Sequence, residues 1–93
     1  MVQVVVAYDI SNDKRRNKVA KCLQGYGERV NFSVFECILK AGSFARMKKE
    51  LKELVKHKED NIRIYLLCKD CIKKTEVIGG GTQGFNNSPL LYI

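Results

Sequence analysis

Apolar side chains recur along the chain in three different rhythms, and each rhythm predicts an element. Val2 to Asp9 is nearly continuous in β-branched and small apolar residues, the pattern of a buried strand. Ser11-Asn12-Asp13 then offers capping side chains to a helix of about a dozen residues, in which Val19, Ala20 and Leu23 fall at helical spacing, and Gly25 and Gly27 stop it. From Arg29 to Leu39 the even positions Val30, Phe32, Val34 and Ile38 alternate with Asn31, Ser33 and Cys37, which predicts a long strand with one strongly apolar face, although Phe35 and Glu36 break the alternation. A second helix opens at Gly42-Ser43, with Phe44, Met47, Leu51, Leu54 and Val55 as its core stripe, and runs to about Lys58. Asn61 to Cys68 is a further strand, with Ile62, Ile64 and Leu66 on one side and Arg63, Tyr65 and Leu67 on the other. Thr75 to Ile78 reads as a short additional strand.

These elements are assigned to the order strand, helix, strand, strand, helix, strand, an α+β ferredoxin-like βαββαβ sandwich with two helices on one face of an antiparallel sheet. The predicted domain covers residues 1–78. Residues 79–93 are read as a glycine-rich hinge followed by an extra C-terminal edge strand, Leu90 to Ile93, that would pair across a homodimer. A chain of 93 residues buries a modest core of its own, which also favours association.

Composition narrows the function. Seventeen Lys and Arg against ten Asp and Glu give a formal charge of +7, the electrostatic signature of a polyanion binder. No apolar run approaches the roughly 18 residues needed to span a bilayer, so no membrane role is expected. The N-terminal segment lacks the basic leader and cleavage site of a secretion signal, so the protein is expected in the cytoplasm with its four cysteines reduced.

Two features carry candidate chemistry. Asp9 ends the first strand where the chain leaves the sheet, a position at the rim of the core. A carboxylate there either caps the following turn or holds a hard cation such as Mg²⁺ or Mn²⁺. Lys14-Arg15-Arg16-Asn17-Lys18 then places cations in the first turns of a helix, where they oppose its dipole unless an anion is bound, and Arg29 lies close behind. The alternative is a solvated charged face partly offset by Asp13.

The run Tyr8 to Ala20, the run Tyr26-Gly27-Glu28-Arg29-Val30-Asn31-Phe32-Ser33-Val34-Phe35-Glu36-Cys37, and Ile62-Arg63-Ile64-Tyr65 followed by Glu76-Val77-Ile78-Gly79 together resemble the CRISPR-associated protein 2 family over nearly the whole chain. The resemblance implies a ferredoxin-like homodimer, a metal-dependent endonuclease on RNA or double-stranded DNA, and a partnership with the CRISPR integrase in acquiring spacers. Carried over by position, it makes Asp9 the catalytic, metal-binding carboxylate and sets Tyr8, Arg16, Lys18, Arg29 and Phe35 around the nucleic acid. The basic cluster adds Lys14 and Arg15. Lys18 stands where some members carry Arg, which keeps the charge but loses the bidentate fork. Asp9 and the cations fit equally a non-catalytic DNA-binding adaptor of the integrase complex.

Other motifs are weaker. Cys68-Lys69-Asp70-Cys71 resembles a redox C-x-x-C, but too little chain follows it for a thioredoxin-like fold. A zinc site would need two more ligands, and the lone His57 belongs to the polar side of the second helix. Plain thiols in a turn are therefore expected. Gly79-Gly80-Gly81 lacks the Lys-Ser/Thr of a phosphate-binding loop, and the strand at Ile62 lacks the Gly-aromatic pattern of an RNA-recognition module.

Overall fold

The computed structural model of the protein describes residues 1–79. The chain forms β1 (Val2–Asp9), α1 (Asp13–Gln24), β2 (Glu28–Asn31), β3 (Val34–Leu39), α2 (Ala41–Leu54), β4 (Asn61–Leu67) and a short α3 (Lys69–Lys73). The strands make one antiparallel sheet in the order β2-β3-β1-β4, so the α+β ferredoxin-like βαββαβ order is present. β1 lies in the interior of the sheet, paired on both edges by β3 and β4.

The register assigns residues to faces. Val4 lies opposite Cys37 and Leu66, Val6 opposite Phe35 and Ile64, and Tyr8 opposite Ile62. This face is covered by the two long helices, whose Val19, Ala20, Leu23, Met47 and Leu51 join Val4, Val6, Tyr8, Phe35, Cys37 and Leu39 in one core. Full burial of each large side chain here contributes about 1.5–3 kcal/mol. The other face carries Gln3, Val5, Ala7 and Asp9 from β1, Val34, Glu36 and Ile38 from β3, and Arg63, Tyr65 and Leu67 from β4.

Two capping devices behave as the sequence indicates. The Asn12 side chain accepts a hydrogen bond from the Arg15 N–H at 2.9 Å and so starts α1. The Gly25 N–H bonds back to the Cys22 carbonyl, and the Gly27 N–H to the Leu23 carbonyl, which ends it. Gly27 is obligatory for steric reasons, because a Cβ there would collide with Cys37 Sγ and the Glu36 carbonyl of β3.

Four expectations are corrected. Residues 29–39 are a tight hairpin instead of one strand: the Asn31 side chain accepts the Phe32 N–H at 2.7 Å, and β2 and β3 then pair with a bulge between Arg29 and Asn31. The apolar even positions are also not the core side. Phe35, Cys37 and Leu39 are buried, while Val34 and Ile38 are half-buried on the open face and Phe32, in the turn, is 73% exposed. α2 stops at Leu54, short of Lys58, because Val55 is extended and the Asp60 carboxylate takes the Lys56 N–H at 2.9 Å. Thr75–Ile78 is no strand: Thr75 folds back, its N–H on the Ile72 carbonyl and its hydroxyl on the Cys71 carbonyl, both at 3.0 Å. The expected hinge beyond Gly79 and the edge strand Leu90 to Ile93 lie outside the described residues. Among the described residues no helix is long and apolar enough to cross a membrane.

Candidate nucleic-acid interface and the Asp9 rim

Asp9 is the last residue of β1, pairs in register with Asn61 at the start of β4, and is exposed. Its side belongs to the open face of the sheet, in line with Ala7 and Val5. The next residue, Ile10, is only 4% exposed and pins the chain before the Asn12 cap, so the strand end and the start of α1 are held in a fixed turn. Asn12, and not Asp9, supplies the cap. The capping alternative for Asp9 therefore loses its structural motive.

The cations divide into two groups. Arg15 makes a fork onto Asp60, with Nε donating to Oδ2 at 2.8 Å and Nη2 to Oδ1 at 3.1 Å, and Nη2 also donates to Glu59 Oε2 at 2.8 Å. The Asp60 side chain is closed off from solvent, and the Arg15 fork, followed by the Lys56 N–H, holds its carboxyl below the usual range. Arg16 bends back onto its own turn, donating to the Asp13 carboxylate and to the carbonyls of Ile10 at 3.2 Å and Ser11 at 3.4 Å. These carboxylate and carbonyl contacts of the two arginines offset the unfavourable dipole at the start of α1. Lys14 and Lys18, by contrast, are exposed and make no ion pair among the described residues.

The aromatic residues named with them form an inner stack. Phe35 is fully buried, Tyr8 is 5% exposed, and their rings lie 6.3 Å apart at 28°. The Tyr8 hydroxyl donates to the Phe32 carbonyl at 3.4 Å. Arg29 is exposed and lays its guanidinium 5.3 Å from the centre of the Phe35 ring. In the single chain, then, Tyr8 and Phe35 support the β1 rim from within the core, and Arg29 is the outward part of that group.

Asp9 ends β1 on the sheet face away from α1 and α2, Lys14, Arg16 and Lys18 lie on α1, and Arg29 and Phe35 belong to the β2–β3 hairpin. The sequence reading missed the acidic partners of Arg15. Glu59-Asp60 immediately before a strand was the available signal, but nothing in the spacing tied it to a helix 45 residues away. Lys14, Lys18 and Arg29 are exposed and make no ion pair among the described residues, a chemistry suited to a phosphodiester backbone.

The chain is similar to known proteins over this whole region. The family profile described as CRISPR associated protein Cas2 matches residues 1–75. A relative from Chloroflexus aurantiacus named CRISPR-associated endoribonuclease Cas2 1 is 47% identical over 78 residues, covering 83% of this chain and 84% of that protein. Streptococcus pyogenes Cas2, solved at pH 6.5, superposes with a TM-score of 0.74 at 38% identity over 83% of this chain and 99% of that one. A chain of a partial Cas6-RT-Cas1–Cas2 complex superposes with a TM-score of 0.72 at 35% identity, over 84% and 91%. With the βαββαβ sheet, the exposed strand-end aspartate and the matched profile in agreement, the chain belongs to the CRISPR-associated Cas2 family.

Proposed function

We propose that this protein acts in CRISPR spacer acquisition alongside the CRISPR integrase and that, as a homodimer, it is a metal-dependent endonuclease on RNA or double-stranded DNA with Asp9 as its catalytic carboxylate. The observation that carries the reading is the position of Asp9: exposed, at the end of β1, on the face of the sheet opposite α1 and α2. The names of the relatives support nuclease activity, and the Cas1–Cas2 complex supports the integrase partnership.

Asp9 suits Mg²⁺ or Mn²⁺ by donor type, since hard cations take oxygen ligands. A single chain supplies one such donor, and no group of three or more His, Cys, Asp or Glu side chains gathers among the described residues. Two copies packed through their open faces would contribute two Asp9 carboxylates to one ion, with water and phosphate oxygens completing roughly six ligands. When bound, such an ion polarises a phosphoryl oxygen and acidifies an attacking water. The chain's own residues do the rest. Lys14 and Lys18 hold the phosphate backbone, Arg16 adds charge while bracing the turn, and the buried Tyr8–Phe35 pair keeps the rim from shifting.

The adaptor reading stays beside this one because so sparse a donor set fits phosphate binding without cleavage. A cleavage assay on single-stranded RNA and duplex DNA, with and without Mg²⁺, separates the two. Asp9→Asn should abolish Mg²⁺-dependent cleavage and leave salt-dependent binding intact. Cleavage by purified Asp9→Asn protein at the wild-type rate ends the catalytic role. If neither protein cleaves and both support integration with the integrase, the adaptor reading holds.

A further inference from the structure

Cys68 and Cys71 stand at the far end of β4 from Asn61, where the strand gives way to α3. Cys68 takes the N-cap position with extended backbone, and its Sγ accepts the Cys71 N–H at 3.4 Å. The same turn brings the two sulfurs to 3.3 Å, and both residues are exposed. A disulfide bond is about 2.05 Å long, so closure asks the sulfurs to approach by only ~1.3 Å, within reach of small side-chain rotations.

The other two thiols have different surroundings. Cys37 is buried, and Cys22 is half-buried with its thiol donating to Glu50 at 3.3 Å. Burial, with the neighbouring glutamate second, pushes each up to about 11. At Cys68 the direction is reversed: hydrogen bonds from Cys71, first its N–H and then its thiol, favour the thiolate and lower the pKa, while Cys71 is raised because its thiol donates to Cys68. One sulfur of the pair is thus the better nucleophile and the other is positioned behind it.

We propose that Cys68 and Cys71 form a redox-active dithiol site whose substrate is a low-molecular-weight disulfide of the glutathione type, and that it closes reversibly to an intramolecular Cys68–Cys71 disulfide. The thiolate of Cys68 attacks one sulfur of the external disulfide, forming a mixed disulfide and releasing one small thiolate. Cys71 then gives up its proton and attacks Cys68 Sγ, forming the internal bond and releasing the second thiolate. Two protein thiols are oxidised, and the external disulfide takes up two electrons and two protons to become two thiols. The exchange needs only an accessible thiolate and a second thiol within reach.

The test treats reduced full-length protein with oxidised glutathione at neutral pH without oxygen, stops the reaction by alkylation and reads each cysteine by peptide mass. Cys68 and Cys71 should lose their alkylation sites together, in a peptide lighter by two hydrogens, at least about tenfold faster than Cys22 reacts. The ordering follows from burial, which pushes the Cys22 thiol up to about 11, against the hydrogen bonds that lower Cys68, partly offset by the lower intrinsic nucleophilicity of the more acidic thiol. Cys71→Ser should stop at a mixed disulfide on Cys68, and Cys68→Ser, which keeps a capping hydroxyl, should slow the first step by a similar factor. Reduced glutathione should restore both sites in the wild type. Cys68 and Cys71 reacting no faster than Cys22, or a wild-type protein that accumulates mixed disulfides without closing, would overturn the proposal. The wild-type kinetics decide it even if a variant folds poorly.

Discussion

On the helix side of the sheet Val4, Val6 and Phe35 are wholly shielded from solvent, whereas on the other side Val5, Ala7, Val34 and Ile38 remain half-exposed although they are nearly as apolar. Strands with both faces apolar usually have both faces covered. The contrast therefore separates what the described residues complete among themselves, a two-layer core, from a surface whose composition anticipates a further layer. Asp9 and the basic turn stand at the border of the two. The rigid covered face fixes their position, and the open face gives them access.

The sharpest way to test the covered side is Phe35→Ala. It removes a ring that is fully buried, stacks on Tyr8 and supports Arg29, so unfolding in urea at fixed protein concentration should show a loss of about 3–5 kcal/mol with an unchanged slope. A loss under about 1 kcal/mol would mean that the β2–β3 hairpin is not anchored through this residue. Next in size is Gly27→Ala. The added methyl group meets Cys37 Sγ and the Glu36 carbonyl, and since one of these is backbone the clash is relieved only by shifting β3, at a cost of about 1–3 kcal/mol in the same measurement.

How far the sequence carried this reading depended on whether a signal was local. The Asn12 cap, the glycine stop after α1 and the helical stripes of α1 and, as far as Leu54, of α2 are decided within a few residues, and they fell where expected. The hairpin is hidden in the sequence because Asn31 and Ser33 are turn formers embedded in a period-two pattern that holds from Val30 to Val34, so the alternation runs straight through the turn. The wrong face was taken as core for a related reason. Val34 and Ile38 are as apolar as Phe35 and Leu39, and periodicity measures contrast between faces, which is nearly absent here. At the candidate site Asp9 and the exposed lysines were legible from motif and charge. The Arg15 fork on Asp60, with its long sequence separation, was not.

That fork offers an intermediate prediction, at the edge where α1 is tied to the start of β4. Because Asp60 is held below its ordinary value of about 4, its contribution to stability is complete above that pH and is lost as the pH falls through the lower native value. The difference in unfolding free energy between wild type and Asp60→Asn should therefore be constant from about pH 7 to pH 5 and shrink below about pH 4. A difference that grows on acidification would show that the carboxylate is not the stabilised form.

The smallest effect on the folded chain, and the most informative about the open face, is expected from Tyr65→Glu. Tyr65 lies opposite Val5 on that face and is 49% exposed, so in an isolated chain the substitution removes little packing and should change stability by no more than about 0.5 kcal/mol. If a second copy covers the face, the same change buries a carboxylate against Val5 and its neighbours, which is costly without a partner charge. The sedimentation mass at micromolar concentration should then fall from about two chains to one, while the unfolding curve measured in dilute solution stays with the wild type. Mg²⁺-dependent cleavage should be lost together with the dimer, since each chain brings a single Asp9 to the site. An unchanged mass would mean that copies do not meet through this face, and the apolar residues on it would then need a different partner. A monomer that cleaves at the wild-type rate would separate catalysis from dimerisation and return the whole site to one chain.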